Sequence, residues 1–210
     1  MVAKLITHST PSQDFYFMIV LAMSVAALGL LLNNVAVVIG SMLISPMLYA
    51  FLGTALGLGI SDTKLIGRSL ASIVKAAIAG IVVAAFITVF IGYKGVSSAA
   101  LGQFIPSLSY GMVALLAGAA AAFTLTKPLL NETLPGVAIT VSIVPPIAAT
   151  GIGLATFQWP LFRDSLMLFV LNTVAIVAGA LIVFLLVNMY GEKSVAEQTL
   201  KKEQKKIVLP

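Results

Sequence analysis

Proline stands twice in the middle of a long apolar run, and this places the tightest constraint on the chain. Gly40-Ser41-Met42-Leu43-Ile44-Ser45-Pro46-Met47 lies inside one run. Ser142-Ile143-Val144-Pro145-Pro146-Ile147-Ala148-Ala149-Thr150-Gly151 lies inside another, about 100 residues later. Each run is long enough to cross a bilayer as a helix. Proline removes a backbone donor, and its ring crowds the carbonyl one turn back. In hydrocarbon no lipid group replaces the lost bond, so each freed carbonyl needs a partner from protein or from a wet cavity. Two such interruptions in corresponding halves predict an internally repeated membrane protein with a site near the midplane.

Composition agrees. Hydrophobic residues make up 60% of the chain and charged residues 9%, with a mean hydropathy of +1.11. A soluble domain carries about 25% charged residues. Lipid is therefore expected to be the main solvent. There is no Cys, and the single histidine, His8, precedes the first apolar run. Disulfides, thiolate chemistry and a His/Cys metal site within one subunit are excluded. No Asp or Glu falls in the middle of a span, which argues against a deep carboxylate proton relay. No Ser–His or paired-Asp arrangement lies in the apolar runs, and no Gly-rich phosphate loop occurs. The expectation is a non-enzyme with no cofactor and no metal. The basic balance is attributed to topology rather than to nucleic acid.

Six apolar segments can be drawn, at about 15–32, 35–60, 70–91, 106–126, 134–157 and 165–189. Polar connections separate them: Asn33-Asn34, Ser61-Asp62-Thr63-Lys64, Gly92-Tyr93-Lys94-Gly95, Lys127-Pro128 with Asn131-Glu132-Thr133, and Trp159-Pro160 with Arg163-Asp164. Placing Pro46 over Pro146 aligns Ile39 with Ile139 and Gly53 with Gly153, and brings Asp62 close to Asp164. Each unit then holds three spans, so the second must be inverted. The expected fold is all-α and integral to the membrane, with six transmembrane helices as two inverted three-helix repeats and Pro-broken second and fifth helices. The membrane domain covers 14–190, with repeats at about 14–95 and 104–190, between an N-terminal segment 1–13 and a basic tail 191–210. The first span is read as retained rather than as a cleaved signal.

Charge sets the orientation. The side with both termini carries Lys4, Lys64, Arg68, Lys75, Lys127, Lys193, Lys201, Lys202, Lys205 and Lys206, and the other only Lys94 and Arg163. The positive-inside rule puts both termini in the cytoplasm, in a cell (inner) membrane. The tail is read as a topology anchor or as a contact for anionic head groups.

Hydroxyls flank the prolines. Ser41, Ser45, Ser142 and Thr150, with Pro46, Pro145 and Pro146, are the candidate substrate-binding residues, because half-helix ends and hydroxyls together can hold a solute or ion. A Pro kink patched by Ser and Thr is the competing reading. Asn172, well inside the sixth span, must face other helices and joins the candidates. Asn33, Asn34, Glu132 and Lys75 are candidates for gating or coupling. The asparagines are also natural helix starts, and Lys75 can equally snorkel to the surface. Small residues at four-residue spacing, such as Ala114, Gly118 and Ala122 or Ala175 and Gly179, predict close helix packing and a homo-oligomer.

The Gly40–Met47 segment and Val144-Pro145-Pro146-Ile147-Ala148-Ala149-Thr150-Gly151 resemble the two hallmark segments of a prokaryotic membrane family, domain of unknown function 389. The resemblance covers about 14–190 and implies a multi-span fold without assigning an activity. Many relatives carry an added soluble domain, which these residues do not include. The expected function is a membrane transporter or channel for a small solute or ion, with the lipid bilayer as its surroundings. The alternative is a non-transporting scaffold or sensor that binds lipid or a partner protein.

Overall fold

The computed structural model describes residues 13–91, 104–126 and 133–187, with the side chains of 133–137 left out. His8, Lys94, Glu132 and the basic tail lie outside the described residues. Among those residues there are seven helices and no strand: α1 Gln13–Leu31, α2 Val35–Ile44, α3 Leu48–Gly59, α4 Thr63–Ile91, α5 Leu108–Thr126, α6 Thr133–Ala155 and α7 Trp159–Leu186. Five are long and apolar enough to cross a membrane, or six where α2 with α3, bent by 57°, is counted as one span.

Three connections close in the same way. Asn33, Ser61 and Phe157 take positive φ of 50°, 56° and 56°. The amide after each reaches back to the carbonyl of Gly29, Gly57 or Gly153, at 2.8, 2.9 and 2.9 Å. This is the Schellman ending, which satisfies carbonyls that a helix end would leave bare. Glycine is required where the bond lands, because the next helix returns across it. A Cβ on Gly29 would meet Val38 at 2.8 Å, one on Gly57 would meet Ile66 at 2.8 Å, and one on Gly153 would meet Phe162 at 2.7 Å. Caps then start the next helices. Asn34 Oδ1 accepts from the amides of Ala36 and Val37, and Asp62 Oδ1 from those of Lys64 and Leu65. The Asp62 cap starts α4 at Thr63, a full two turns before the apolar run. Pro160 in the first turn likewise starts α7 ahead of its apolar stretch.

The central element is α6. It packs on α1, α2, α4, α5 and α7. Of its apolar window 72% is buried, against 33–39% in the other four spanning helices. Ile139, Ile143, Val144 and Ala148 are fully enclosed. Around it, α4 lies on α6, and α7 lies on α3. Gly80 and Gly151 allow the first of these approaches: a Cβ on Gly80 would strike Ile147 and Met23, and one on Gly151 would strike Ala84.

One expectation is corrected here. The fifth span is not broken, because α6 runs without interruption through Pro145 and Pro146. Only the second span breaks, at Ser45-Pro46. Ser45 takes φ −71° and ψ 124°, the extended backbone that a following proline favours. Val144 stays helical before Pro145 because it is sealed among its neighbours. The turns also shift the alignment of the two halves. Gly57–Asp62 matches Gly153–Gln158 in geometry, which places Pro46 and Pro146 about one helical turn out of register.

The closest helix crossing is between α5 and α7. A Cβ on Gly118 would fall on the Ile176 carbonyl, and one on Gly179 on the Leu115 carbonyl. Backbone cannot yield as a flexible side chain does. Gly118→Ala and Gly179→Ala are each expected to destabilise the protein by about 1–3 kcal/mol or more. Gly40→Ala, where nothing lies within 4 Å, is expected to be neutral or better. Thermal unfolding in detergent would decide, and equal melting of all three variants would refute the crossing.

Candidate functional site

The site is built from carbonyls that proline leaves without a helix donor. Pro46 cannot donate to the Met42 carbonyl one turn back. Thr140 on α6 does so instead, Oγ1 to Met42 O at 2.9 Å. Pro146 likewise cannot donate to the Ser142 carbonyl. Asn172 on α7 supplies that bond, Nδ2 to Ser142 O at 2.8 Å. The gaps at Pro46 and Pro146 are thus each closed by a side chain from another helix. Pro145 gives the Val141 carbonyl no helix donor either. A further bond stiffens the next turn: Thr150 Oγ1 donates to the Pro146 carbonyl at 2.7 Å and lies 2.9 Å from Ser165 Oγ.

A cavity of about 500 Å³ adjoins these bonds. At its mouth stand Asn33 and Asn34 of the α1–α2 turn, with Tyr110 at the head of α5. It runs along α6 past Ile152, Ala149, Pro146 and Pro145 to Ser142 and Val141, with Asn172 of α7 beside them. Ser142 and Asn172 each lie 13 positions from the α6–α7 ends, a depth of about 20 Å at 1.5 Å per residue. In a hydrocarbon core about 30 Å thick, that reaches past the middle. Among the described residues no charged side chain lines it. Its polar side chains are Asn33, Asn34, Tyr110, Ser142 and Asn172; the remaining lining is apolar or proline.

Asn172 dominates the inner end. It is 2% exposed. Its Nδ2 is committed to Ser142, which fixes the amide orientation, and its Oδ1 is buried with no hydrogen-bond partner.

Six of the twelve residues selected from the sequence therefore share one cavity: Asn33, Asn34, Ser142, Pro145, Pro146 and Asn172. Five stand elsewhere. Ser41 is enclosed and turns its hydroxyl to the Val38 carbonyl of its own helix at 2.6 Å. Ser45 and Pro46 form the bend between α2 and α3. Thr150 faces α7 through Ser165. Lys75 is exposed on α4 between Val74 and Ile78, also exposed, and away from the cavity. Glu132 lies outside the described residues. Sequence reasoning missed Thr140 and Tyr110. A threonine inside an apolar span was the available signal for the first, and an aromatic at a span's head for the second.

Comparison with known proteins gives a family and no activity. The model of a family described as a domain of unknown function, DUF389, matches residues 42–178. An uncharacterized protein of Methanocaldococcus jannaschii is 26% identical over 184 residues, which is 86% of this chain and 55% of the relative. The chain thus spans about half the length of that curated relative. No solved structure matches.

The bond across the bend can be tested by a double-mutant cycle. Thr140→Val is expected to lower stability by about 1–2 kcal/mol, since it strands the Met42 carbonyl. Pro46→Ala restores a backbone donor, so the same Thr140→Val change should cost less than half as much in that background. Equal losses in both backgrounds would mean that Thr140 does not serve the prolyl gap.

Proposed function

We infer that this chain, which belongs to the DUF389 family, is a membrane transporter or channel for a small solute or ion. The single observation that carries the reading is the cavity from the α1–α2 turn to Asn172 and Ser142. A bundle that served only as a scaffold would gain stability by filling that space with side chains. Instead the space reaches Ser142 and Asn172, about 20 Å from the α6–α7 turn.

Two further features support it. None of Ile139, Ile143 and Ile176, which are fully enclosed in the bundle, lines the cavity, so no open path through the bundle core is formed by them. Passage therefore requires a rearrangement, and the second span already carries a bend of 57° next to the cavity wall. Hinges of this kind absorb motion in a few residues while the helices on either side stay rigid. The inverted repeat belongs to the same reading. Each half sends its last spanning helix onto the proline-bearing span of the other, α4 onto α6 and α7 onto α3. With both termini cytoplasmic, the cavity opens on the outer face of the cell membrane. No catalytic step is part of this function.

The chain has no native cysteine, so accessibility can be read one position at a time. In sealed vesicles, Val141→Cys and Ser142→Cys are expected to react with an aqueous, charged thiol reagent. Ser41→Cys and Thr150→Cys should stay protected, and Leu32→Cys at the exposed turn should react as the control. Protection at 141 and 142 with position 32 labelled would hand the function to the scaffold or sensor reading.

A further inference from the structure

We propose that the buried hydroxyls of Thr54 and Ser69 are the open half of a two-position latch. They pair when the chain turns its cavity toward the cytoplasm, while Thr150 and Ser165 separate. The proposal rests on the reading of this chain as a transporter built from an inverted repeat, and it names the groups that hold each facing state.

The helix turns set the register. Gly57 and Gly153 occupy the same place in their turns, 96 positions apart. The same shift carries α4 onto α7. Of the nine residues buried on each helix, eight coincide, from Leu65 and Leu161 to Thr88 and Phe184. A helix buries the face that its neighbours cover, so the match supports equivalent places for the two helices in the bundle.

In this register Thr54 matches Thr150, and Ser69 matches Ser165. Thr54 Oγ1 donates to the Ala50 carbonyl at 2.9 Å, as Thr150 Oγ1 donates to the Pro146 carbonyl at 2.7 Å. Ala50 and Pro146 are themselves counterparts. The serines differ. Ser165 Oγ lies 2.9 Å from Thr150 Oγ1 and also reaches the Leu161 carbonyl. Ser69 has no exposed surface, and its Oγ has no hydrogen-bond partner. It meets neither Thr54 nor the Leu65 carbonyl that corresponds to Leu161.

The difference is local. Both hairpins close tightly at the turn, where a Cβ on Gly57 would meet Ile66 at 2.8 Å and one on Gly153 would meet Phe162 at 2.7 Å. One helical turn farther from the loop, α6–α7 is bonded through its hydroxyls and α3–α4 is not. A buried hydroxyl without a partner is unfavourable. The repeat supplies the missing partner: Thr54, once the α3–α4 hairpin takes the shape that α6–α7 has here. The bonded hairpin is the one along the cavity. Ile152, Leu161 and Leu168 line that space, and their counterparts Leu56, Leu65 and Ser72 do not. Exchange of the two shapes opens a cavity on the cytoplasmic side instead, with Ser45 in the place of Val141. It trades one hydroxyl pair for the other, so it costs no net hydrogen bond.

The test uses the full chain in sealed vesicles of known orientation, with an impermeant charged thiol reagent added from one side. Val141→Cys, reached from the outer side, reports the state described here. Ser45→Cys, reached from the cytoplasmic side, reports the exchanged state, and its labelling rate follows the population of that state. Adding Ser165→Ala removes the bond of the present state and is expected to raise cytoplasmic labelling at 45 about fivefold. Adding Ser69→Ala removes the bond of the exchanged state and is expected to lower it about fivefold. If Ser165→Ala does not fold, Ser69→Ala still decides, because it breaks no bond of the present state. Ser41→Cys, which is enclosed, is expected to stay protected in every background. A rise at 45 that comes with labelling at 41 is general loosening and overturns the latch. Shifts of the same sign for the two serines, no shift with either, or no cytoplasmic labelling at 45 in any variant overturns it as well and leaves the outer cavity standing. Protection of 141 in the chain without serine changes removes the transport reading and this proposal together.

Discussion

A backbone carbonyl without a donor cannot be left in hydrocarbon, and the architecture follows from where proline creates such carbonyls. A lipid tail offers no hydrogen bond, so the partner must come from another part of the chain. Pro46 and Pro146 sit on different spans, and both gaps are answered by side chains that are distant in sequence. Thr140 reaches Met42 across 98 positions, and Asn172 reaches Ser142 across 30. These two bonds tie α2 to α6 and α6 to α7. They also fix the rotation of α6 about its axis, because a helix turned by one residue would point neither Thr140 nor the Ser142 carbonyl at its partner. The cavity lies alongside that pinned helix.

Why one span bends and the other does not is a matter of surroundings rather than of proline count. Around Pro46 the chain has freedom on one side: Leu43 is exposed, and Ser45 and Pro46 are only half-buried. Ser45 can relax to extended backbone, and the helix axis turns. Around Pro145-Pro146 there is no such freedom. Val144, Ile147 and Ala148 are enclosed by neighbouring helices, and a bend would open gaps on several faces at once. Two prolines in a sealed helix therefore disturb the structure less than one proline at a looser place. The consequence is a contrast between two proline-bearing spans: α6 is a continuous helix along the cavity, and the second span is bent by 57° beyond the part that lines it.

Much of this was legible in the amino acids, and the rest was not, for identifiable reasons. Spans could be drawn because apolar runs of the right length are dictated by the bilayer. Asn34 was readable as a cap because its bonds are local, two and three residues away. The outcome at Pro145-Pro146 was not readable, since the bend depends on what encloses Val144. Thr140 was invisible for a similar reason: nothing near it in sequence says that the Met42 carbonyl lacks a donor. Lys75 shows the ambiguity from the other direction. Its position on α4 was clear, but whether it faced lipid or a cavity depended on the rotation of α4, which Gly80 sets by its contact with Met23 and Ile147.

Asn172 holds two roles in tension, and the tension is informative. As a structural residue it needs only its Nδ2, which closes the gap at Ser142. That bond takes only a donor, and an apolar core would ordinarily not retain the spare oxygen. The neighbouring problem, Pro46, is solved by Thr140 with a hydroxyl, a group small enough to leave little polarity behind. Asparagine is the more expensive choice, because its second polar atom must also be met or stranded. At the closed crossing of α2 and α6 the cheaper residue stands. At Asn172 the costlier one stands, with its Oδ1 buried and unpaired.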